Sequence, residues 1–375
     1  MNNEDILVGL LIFLAGILAL ETRISVAILE VLAGIVAGNL FHATSSHWID
    51  NLSMFGLLGL MFFAGLETDV RLLRRVWRPS LAIGAASFGC PLLLVLATAH
   101  LLGLPGREAL LLAVGLSTTS VALLYAIFRE RALVLPEHGQ LLLAAAMVVD
   151  VASIVALALL FEGITMLSLL LAALALLLTA HMPRLGRWLV ERYSGNRIEL
   201  KTRFILLVLL TMVLLAREAS IHVSLFGFVL GVFFSDFVAE DPVLEAKLKS
   251  LIFGLMAPIF FFKAGLYVRL ASFHWAMLPF IALLGLVAYA GKYFGTLACA
   301  RRFLPPDVAR LAALVFNVRL SFGIIAATFG LESGILRQEM FLTMILIVVG
   351  TSLATSLLLR FRPAATPAPA GETEP

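Results

Sequence analysis

The sequence predicts an all-α, polytopic membrane protein of about thirteen transmembrane helices, built as two inverted six-helix repeats. Three observations carry this prediction. The 375 residues are 61% hydrophobic and only 14% charged, with a mean hydropathy of +1.04, whereas a soluble domain is nearer ~45–50% apolar and ~25% charged. Apolar runs close to the roughly 17–25 residues that a bilayer requires recur along the chain. The basic residues fall mainly in alternate loops between those runs.

The spans, in order, are 5–20, 24–41, 53–66, 80–103, 109–127, 139–162, 164–182, 204–216, 221–237, 250–268, 275–300, 308–331 and 338–359. The acidic start, MNNED, runs straight into the first span and lacks the pattern of a cleaved signal peptide. The second span carries Glu30, the fourth Cys90, and the fifth the polar run Thr118, Thr119 and Ser120. Asp150 sits about halfway along the sixth. The seventh is featureless and leads into the longest basic loop, so it reads as a linker. The tenth carries Lys263, the eleventh Lys292 and Cys299, and the twelfth Arg319. Residues 1–362 therefore form the membrane domain: 1–162 as repeat one, 163–203 as linker helix and basic loop, 204–362 as repeat two. Residues 363–375 are too polar and Pro/Ala-rich to pack and are expected to be a disordered tail.

Charge fixes the expected orientation. With the N-terminus outside and the C-terminus cytoplasmic, the inner loops hold 20 of the 27 lysines and arginines. The outer loops hold Arg107, Arg217, Arg269 and Arg337; Lys263, Lys292 and Arg319 stay within spans. A miscounted span would scramble this asymmetry. The chain is expected in the cell's inner (plasma) membrane as a multi-pass protein. An odd count suits six helices, a linker and six more of opposite orientation, an arrangement that places substrate sites near the midplane at broken helices. On this scheme span 4 mirrors 11, span 5 mirrors 12, and span 6 mirrors 13.

Asp150 is the leading candidate residue. A carboxylate at bilayer depth costs several kcal/mol unless paired, hydrated or neutralised. Desolvation and a nearby ammonium pull its titration in opposite directions, so a proton and a cation can compete for it. The rival reading is a carboxylate in a static ion pair. Lys292, among the small residues of VAYAGKYFGT, is expected to compensate charge in the bundle; the rival is a lysine snorkelling to an interface. Thr118, Thr119 and Ser120 either bond back to the preceding turn or line an unwound segment that offers oxygens to a hard cation such as sodium. Ser153 reads as packing. Arg319 reads as a structural clamp on the carbonyls of a broken helix or a partner for an acid. Glu30 and Lys263 read as structural.

Several classes are excluded. The basic residues do not cluster as a nucleic-acid face would require. No phosphate-binding G-x-x-x-x-G-K-[ST] or dinucleotide G-x-G-x-x-G is present. The two cysteines read as small buried hydrophobes. No cofactor and no enzymatic activity are expected.

The stretches LEVLAGIVAGN (near 30–39), FGLLGLMFFAGLETDVRLLRR (55–75), LSTTSVALLYAIFRERAL (116–133), HGQLLLAAAMVVDVASIVALALL (138–160), APIFFFKAGLYVRL (257–270), GKYFGT (291–296) and NVRLSFGIIAATFG with LESGILRQEMF (317–341) together are specific in order and spacing. On these the chain resembles the monovalent cation:proton antiporter superfamily, in its Kef/Nap-like branch. The resemblance implies a homodimer, with a dimerisation half and a core half in each protomer. It makes spans 5 and 12 the crossed, partly unwound helices, Asp150 the ion- and proton-carrying acid, and Lys292 the core lysine facing the site. It implies elevator-like motion of the core.

Three positions depart from that pattern. Val149 precedes Asp150 where the family often has a second polar or acidic residue. Ser321 stands where a glutamate commonly follows the arginine of span 12. Ala126 replaces a frequent proline. One acid suggests electroneutral exchange. A nucleotide-sensing domain is not expected on this chain. The leading reading is a secondary transporter exchanging Na+ or K+ for H+, with Asp150 as the alkali-cation ligand. The alternatives are an organic-anion transporter on an inverted-repeat plan, favoured by the excess of buried positive charge, and a non-transporting membrane subunit.

Overall fold

The computed structural model describes residues 3–22, 24–66, 76–120, 124, 136–161, 181–182, 184–188, 192–193, 199–218 and 223–360. The linker span at 164–182 and the tail at 363–375 lie almost wholly or wholly outside these residues. The regular elements among them are all helical. In chain order they are α1 (Asn3–Thr22), α2 (Val26–Leu40), α3 (His47–Leu66), α4 (Trp77–Leu101), α5 (Gly106–Gly115), α6 (Pro136–Phe161) and α7 (Leu200–Glu218). They continue as α8 (Val223–Ala239), α9 (Pro242–Leu251), α10 (Ala257–Leu266), α11 (Leu278–Ala300), α12 (Pro306–Val315), α13 (Leu320–Glu332) and α14 (Gln338–Arg360). A five-residue π-helical turn, Ile252–Met256, joins α9 to α10, so these elements make one continuous span.

Each expected span other than the linker falls on one of these helices. Seven helices among the described residues are long and apolar enough to cross a bilayer. Two expected spans are not continuous. The fifth stops at Gly115 and the twelfth is broken between Val315 and Leu320.

Packing sorts the helices into two halves. One contains α1–α3 and α7–α10, with α2 against α10 and α3 against α8 and α10. The other contains α4–α6 and α11–α14, with α4 against α11 and α6 and with α13 against α5 and α14. Glycines set the closest crossings of the first half. A Cβ added at Gly34 of α2 would lie 2.0 Å from the Phe262 carbonyl oxygen, and one at Gly265 of α10 would lie 2.1 Å from that of Val31. The second crossing repeats the first: Gly65 of α3 meets the Phe228 carbonyl at 2.1 Å, and Gly231 of α8 meets that of Phe62 at 2.0 Å. Small residues let membrane helices approach backbone to backbone, where dispersion and polar contacts must replace a hydrophobic driving force.

This duplication is written in the sequence as FFAGL at Phe62–Leu66 and FKAGL at Phe262–Leu266. A second pair of matching stretches opens α5 and α12, at Leu104-Pro105 and Leu304-Pro305. The backbone then repeats bond for bond. Ala109 N donates to Pro105 O at 2.8 Å, and Ala309 N to Pro305 O at 2.9 Å. Leu116 N donates to Leu112 O at 2.9 Å, and Phe316 N to Ala312 O at 3.0 Å.

Candidate ion-binding site at the helix crossover

Two helices end where their sequences stop supporting them. After Gly115 the chain enters Leu116-Ser117-Thr118-Thr119-Ser120, whose hydroxyls compete for backbone partners. The Ser117 Oγ donates to Ala113 O at 2.6 Å and Thr118 Oγ1 to Gly115 O at 2.9 Å. At the matching place after α12, Asn317 Nδ2 donates to Ala313 O at 3.0 Å. Each break leaves carbonyls without a helical donor, which in lipid is tolerated only if the surrounding protein supplies one.

The breaks supply much of this to each other. Ser120 N donates to Val318 O at 2.9 Å, and Thr119 Oγ1 to Phe316 O at 3.3 Å. The hydroxyls of Ser120 and Ser321 lie 3.2 Å apart. Ser117, Thr118, Thr119, Ser120, Asn317 and Arg319 are all buried. Of the three hydroxyls singled out from sequence, Thr118 bonds back along its own segment, whereas Thr119 and Ser120 reach the opposite break.

Two cations complete the crossover. The Arg319 guanidinium donates to the carbonyl of Leu116, to Asn317 O at 3.4 Å and to Asn317 Oδ1 at 2.6 Å. Its own backbone N–H reaches Ser352 Oγ at 3.3 Å. Arg319 thus donates to oxygens on both breaks. Lys292 of α11 is fully buried and does not snorkel. Its Nζ donates to Ser117 O at 2.6 Å and to Ser87 O at 3.3 Å. The second acceptor exists because Pro91 lies inside α4. A proline has no N–H to give to the carbonyl one turn back, so the Ser87 oxygen is left for the lysine.

Asp150, in the middle of α6, is 3% exposed and lies within electrostatic reach of Lys292. Helix α6 packs on α4 and α5. The acid, the lysine, the hydroxyl run and the arginine therefore belong to one half of the protein. Ser153 donates to Val149 O at 2.7 Å, which is a packing role. Glu30 is buried in α2 and Lys263 in α10, both in the other half. Cys90 and Cys299 are free thiols and only partly buried, with Cys90 against the gap left by Gly295.

Sequence reasoning missed Pro91 and Asn317 as parts of this site, and the pairing of Ser120 with Ser321. A proline inside a long apolar run is a signal for a freed carbonyl. Asn317 stands where the first break has Ser117, which only the repeat alignment reveals.

The comparisons with known proteins agree on one family. Residues 9–361 match the family model described as sodium/hydrogen exchanger, transmembrane. The chain is 26% identical over 326 residues to the probable Na(+)/H(+) antiporter 3 of Methanocaldococcus jannaschii, covering 82% of each chain. It is 25% identical over 372 residues to the Na(+)/H(+)-K(+) antiporter GerN of Bacillus cereus, covering 94% of each. Against Cation/H(+) antiporter 18 of Arabidopsis thaliana it is 28% identical over 366 residues but spans 45% of that protein. The fold is shared with the sodium proton antiporter MjNhaP1 of Methanocaldococcus jannaschii, at TM-score 0.70 and 16% identity, over 98% of this chain and 100% of that one. The chain is a transporter-family membrane protein rather than an enzyme, and it belongs to the sodium/hydrogen exchanger family of transmembrane proteins.

Proposed function

We propose that the chain exchanges protons for a monovalent cation, Na+ or K+, with Asp150 as the group that holds either occupant in turn. The observation that carries this reading is the crossover itself. One buried carboxylate shares a half of the protein with freed carbonyls, hydroxyls and a buried ammonium. A hard cation needs several oxygens, and Thr118, Thr119, Ser120 and the unwound carbonyls can supply them. Lys292 compensates charge when no cation is bound. Arg319 holds the two breaks in place, and both repeats contribute to the site.

The same arrangement supports an elevator mechanism. The half that carries the crossover moves against the half built on α2, α3, α8 and α10, which forms the homodimer. The membrane orientation follows the basic loops, N-terminus out and C-terminus in. With Val149 beside a single acid, exchange is electroneutral.

The test is pH-gradient dissipation by purified protein in liposomes, titrated with Na+ and with K+. Asp150→Asn keeps the shape and removes the titrating charge, so it abolishes exchange. Exchange that survives Asp150→Asn sinks the proposal. A rate that responds to an imposed membrane potential overturns the stoichiometry while leaving the site intact.

A further inference from the structure

Among the described residues, polar contacts cross between the two halves at one end. There Lys263 Nζ lies 3.1 Å from Asp50 Oδ1 of α3 and 3.1 Å from Glu332 Oε1. Asp50 and Lys263 belong to the half without the crossover, and Glu332 is the last residue of α13, the helix that leaves the broken segment. The Tyr267 hydroxyl donates to the same Glu332 oxygen at 3.2 Å, and the Lys263 ammonium sits 5.2 Å from the Tyr267 ring centre. Ser45 Oγ donates to Asp50 Oδ1 at 2.6 Å. Gln338, which opens α14, donates to the Tyr267 carbonyl. Two elements of the crossover half are thus tied to α10 and its following turn. A cavity of about 600 Å³ opens at this corner, lined in part by Asn39, His42, Tyr267 and Glu332.

From this geometry we infer that Lys263 is a latch: its ammonium, held between Asp50 and Glu332, locks the two halves together at this end and must release Glu332 each time the crossover half moves. The proposal rests on the elevator reading above. Its physical basis is an asymmetry in the contacts. Lys263 and Asp50 stay together within one half, so the ammonium keeps one carboxylate partner when Glu332 leaves. Parting therefore costs one ion pair, the Tyr267 hydroxyl bond and the Gln338 bond to the Tyr267 carbonyl, and does not strand a charge, which would cost far more. The carboxylates of Asp50 and Glu332 are each about half exposed, so water takes over their hydration. The latch weights the equilibrium toward the closed state without preventing opening.

Thr328 provides a reporter. It lies one turn before Glu332 on α13, on the same face, and is 6% exposed. Thr328→Cys, on a background with Cys90 and Cys299 changed to Ala, is reacted with a maleimide in nanodiscs, where both faces are accessible. Glu332→Gln and Asp50→Asn keep the shape of the cluster and weaken it. Glu332→Gln is expected to raise the labelling rate about threefold or more. Lys263→Met does the same, and the double variant Lys263→Met/Glu332→Gln gives no more than either single one, because both remove one contact. An unchanged labelling rate in Glu332→Gln, in protein that elutes and melts as the parent does, overturns the latch.

A second measurement separates this failure from that of the elevator reading. In the double variant Lys263→Cys/Glu332→Cys, on the same Cys90→Ala/Cys299→Ala background, the two thiols are joined by a short bismaleimide, and exchange is followed in liposomes. Joined protein that still exchanges at the parent rate overturns the motion between halves. Joined protein that stops, together with unchanged labelling, leaves the motion standing and removes only the latch.

Discussion

At the scale of single residues, the crossover is held by backbone oxygens that ordinary helices keep for themselves. Lys292 has one such acceptor because a helix unwinds at Ser117 and another because Pro91 interrupts a ladder. Pro91→Ala returns an N–H to the Ser87 carbonyl and draws that oxygen away from the lysine. We expect thermal stability to hold or rise, since an interior proline disfavours a helix by about 3 kcal/mol, while the exchange rate falls several-fold. Melting and liposome flux measured on the same preparation check this, and full exchange would show the Ser87 oxygen to be dispensable. Arg319 is a different case. Its guanidinium is fully buried and gives hydrogen bonds to Leu116 and Asn317. Arg319→Ala leaves those buried acceptors unpaired, at about 1–3 kcal/mol each, and should lower the melting temperature sharply. Asp150 was legible from sequence because an acid in an apolar run is costly. Asn317 was not, because an asparagine at the end of a helix is ordinary.

At the scale of elements, helix crossings and caps decide stability. Gly34→Ala pushes a Cβ onto the Phe262 carbonyl and should destabilise the α2–α10 pair by about 1–3 kcal/mol. Gly89→Ala on α4 meets nothing within 4 Å and serves as the neutral control in the same melting assay. Outside the membrane, Asp241 caps α9 by accepting from Leu244 N at 3.1 Å. The Lys201 ammonium, 2.5 Å away, holds its carboxyl below the usual carboxylate range, and the Leu244 N–H acts in the same direction. A depressed value in the folded state means that this stabilisation is complete above the unfolded value of about 4 and is lost as pH falls through the folded one. Asp241→Asn should therefore flatten the acid limb of the stability profile, and an unaltered limb would show the pair to be inert. Length and hydropathy made the helices readable. That spans 5 and 12 are broken was expected through family resemblance, without the positions of the breaks, since serine and threonine inside an apolar run are also compatible with an unbroken helix.

At the scale of the whole molecule, the division into halves is the basis of the proposed mechanism, in which one site faces two sides in turn. The acid, the ammonium and both breaks lie in one half, and in the opposing half glycines bring α2 against α10 and α3 against α8 at backbone contact. Should the halves move as proposed, hydrogen exchange should be fastest at their shared boundary and slowest along the α2–α10 and α3–α8 seams. Uniform protection across both would contradict that division.

The sequence by itself determined the class of solvent, the order of the apolar helices among the described residues and the existence of a costly buried acid. These follow from hydropathy, from loop charge and from the energy of burying an ion, all of which are local properties of the chain. Tertiary structure alone decided that Ser120 meets Ser321, that Pro91 serves Lys292, and that Lys263 reaches across to Glu332. Each of these is a pairing between segments far apart in sequence. The burial of polar groups obliges such partners to exist, but it does not say where along the chain they lie.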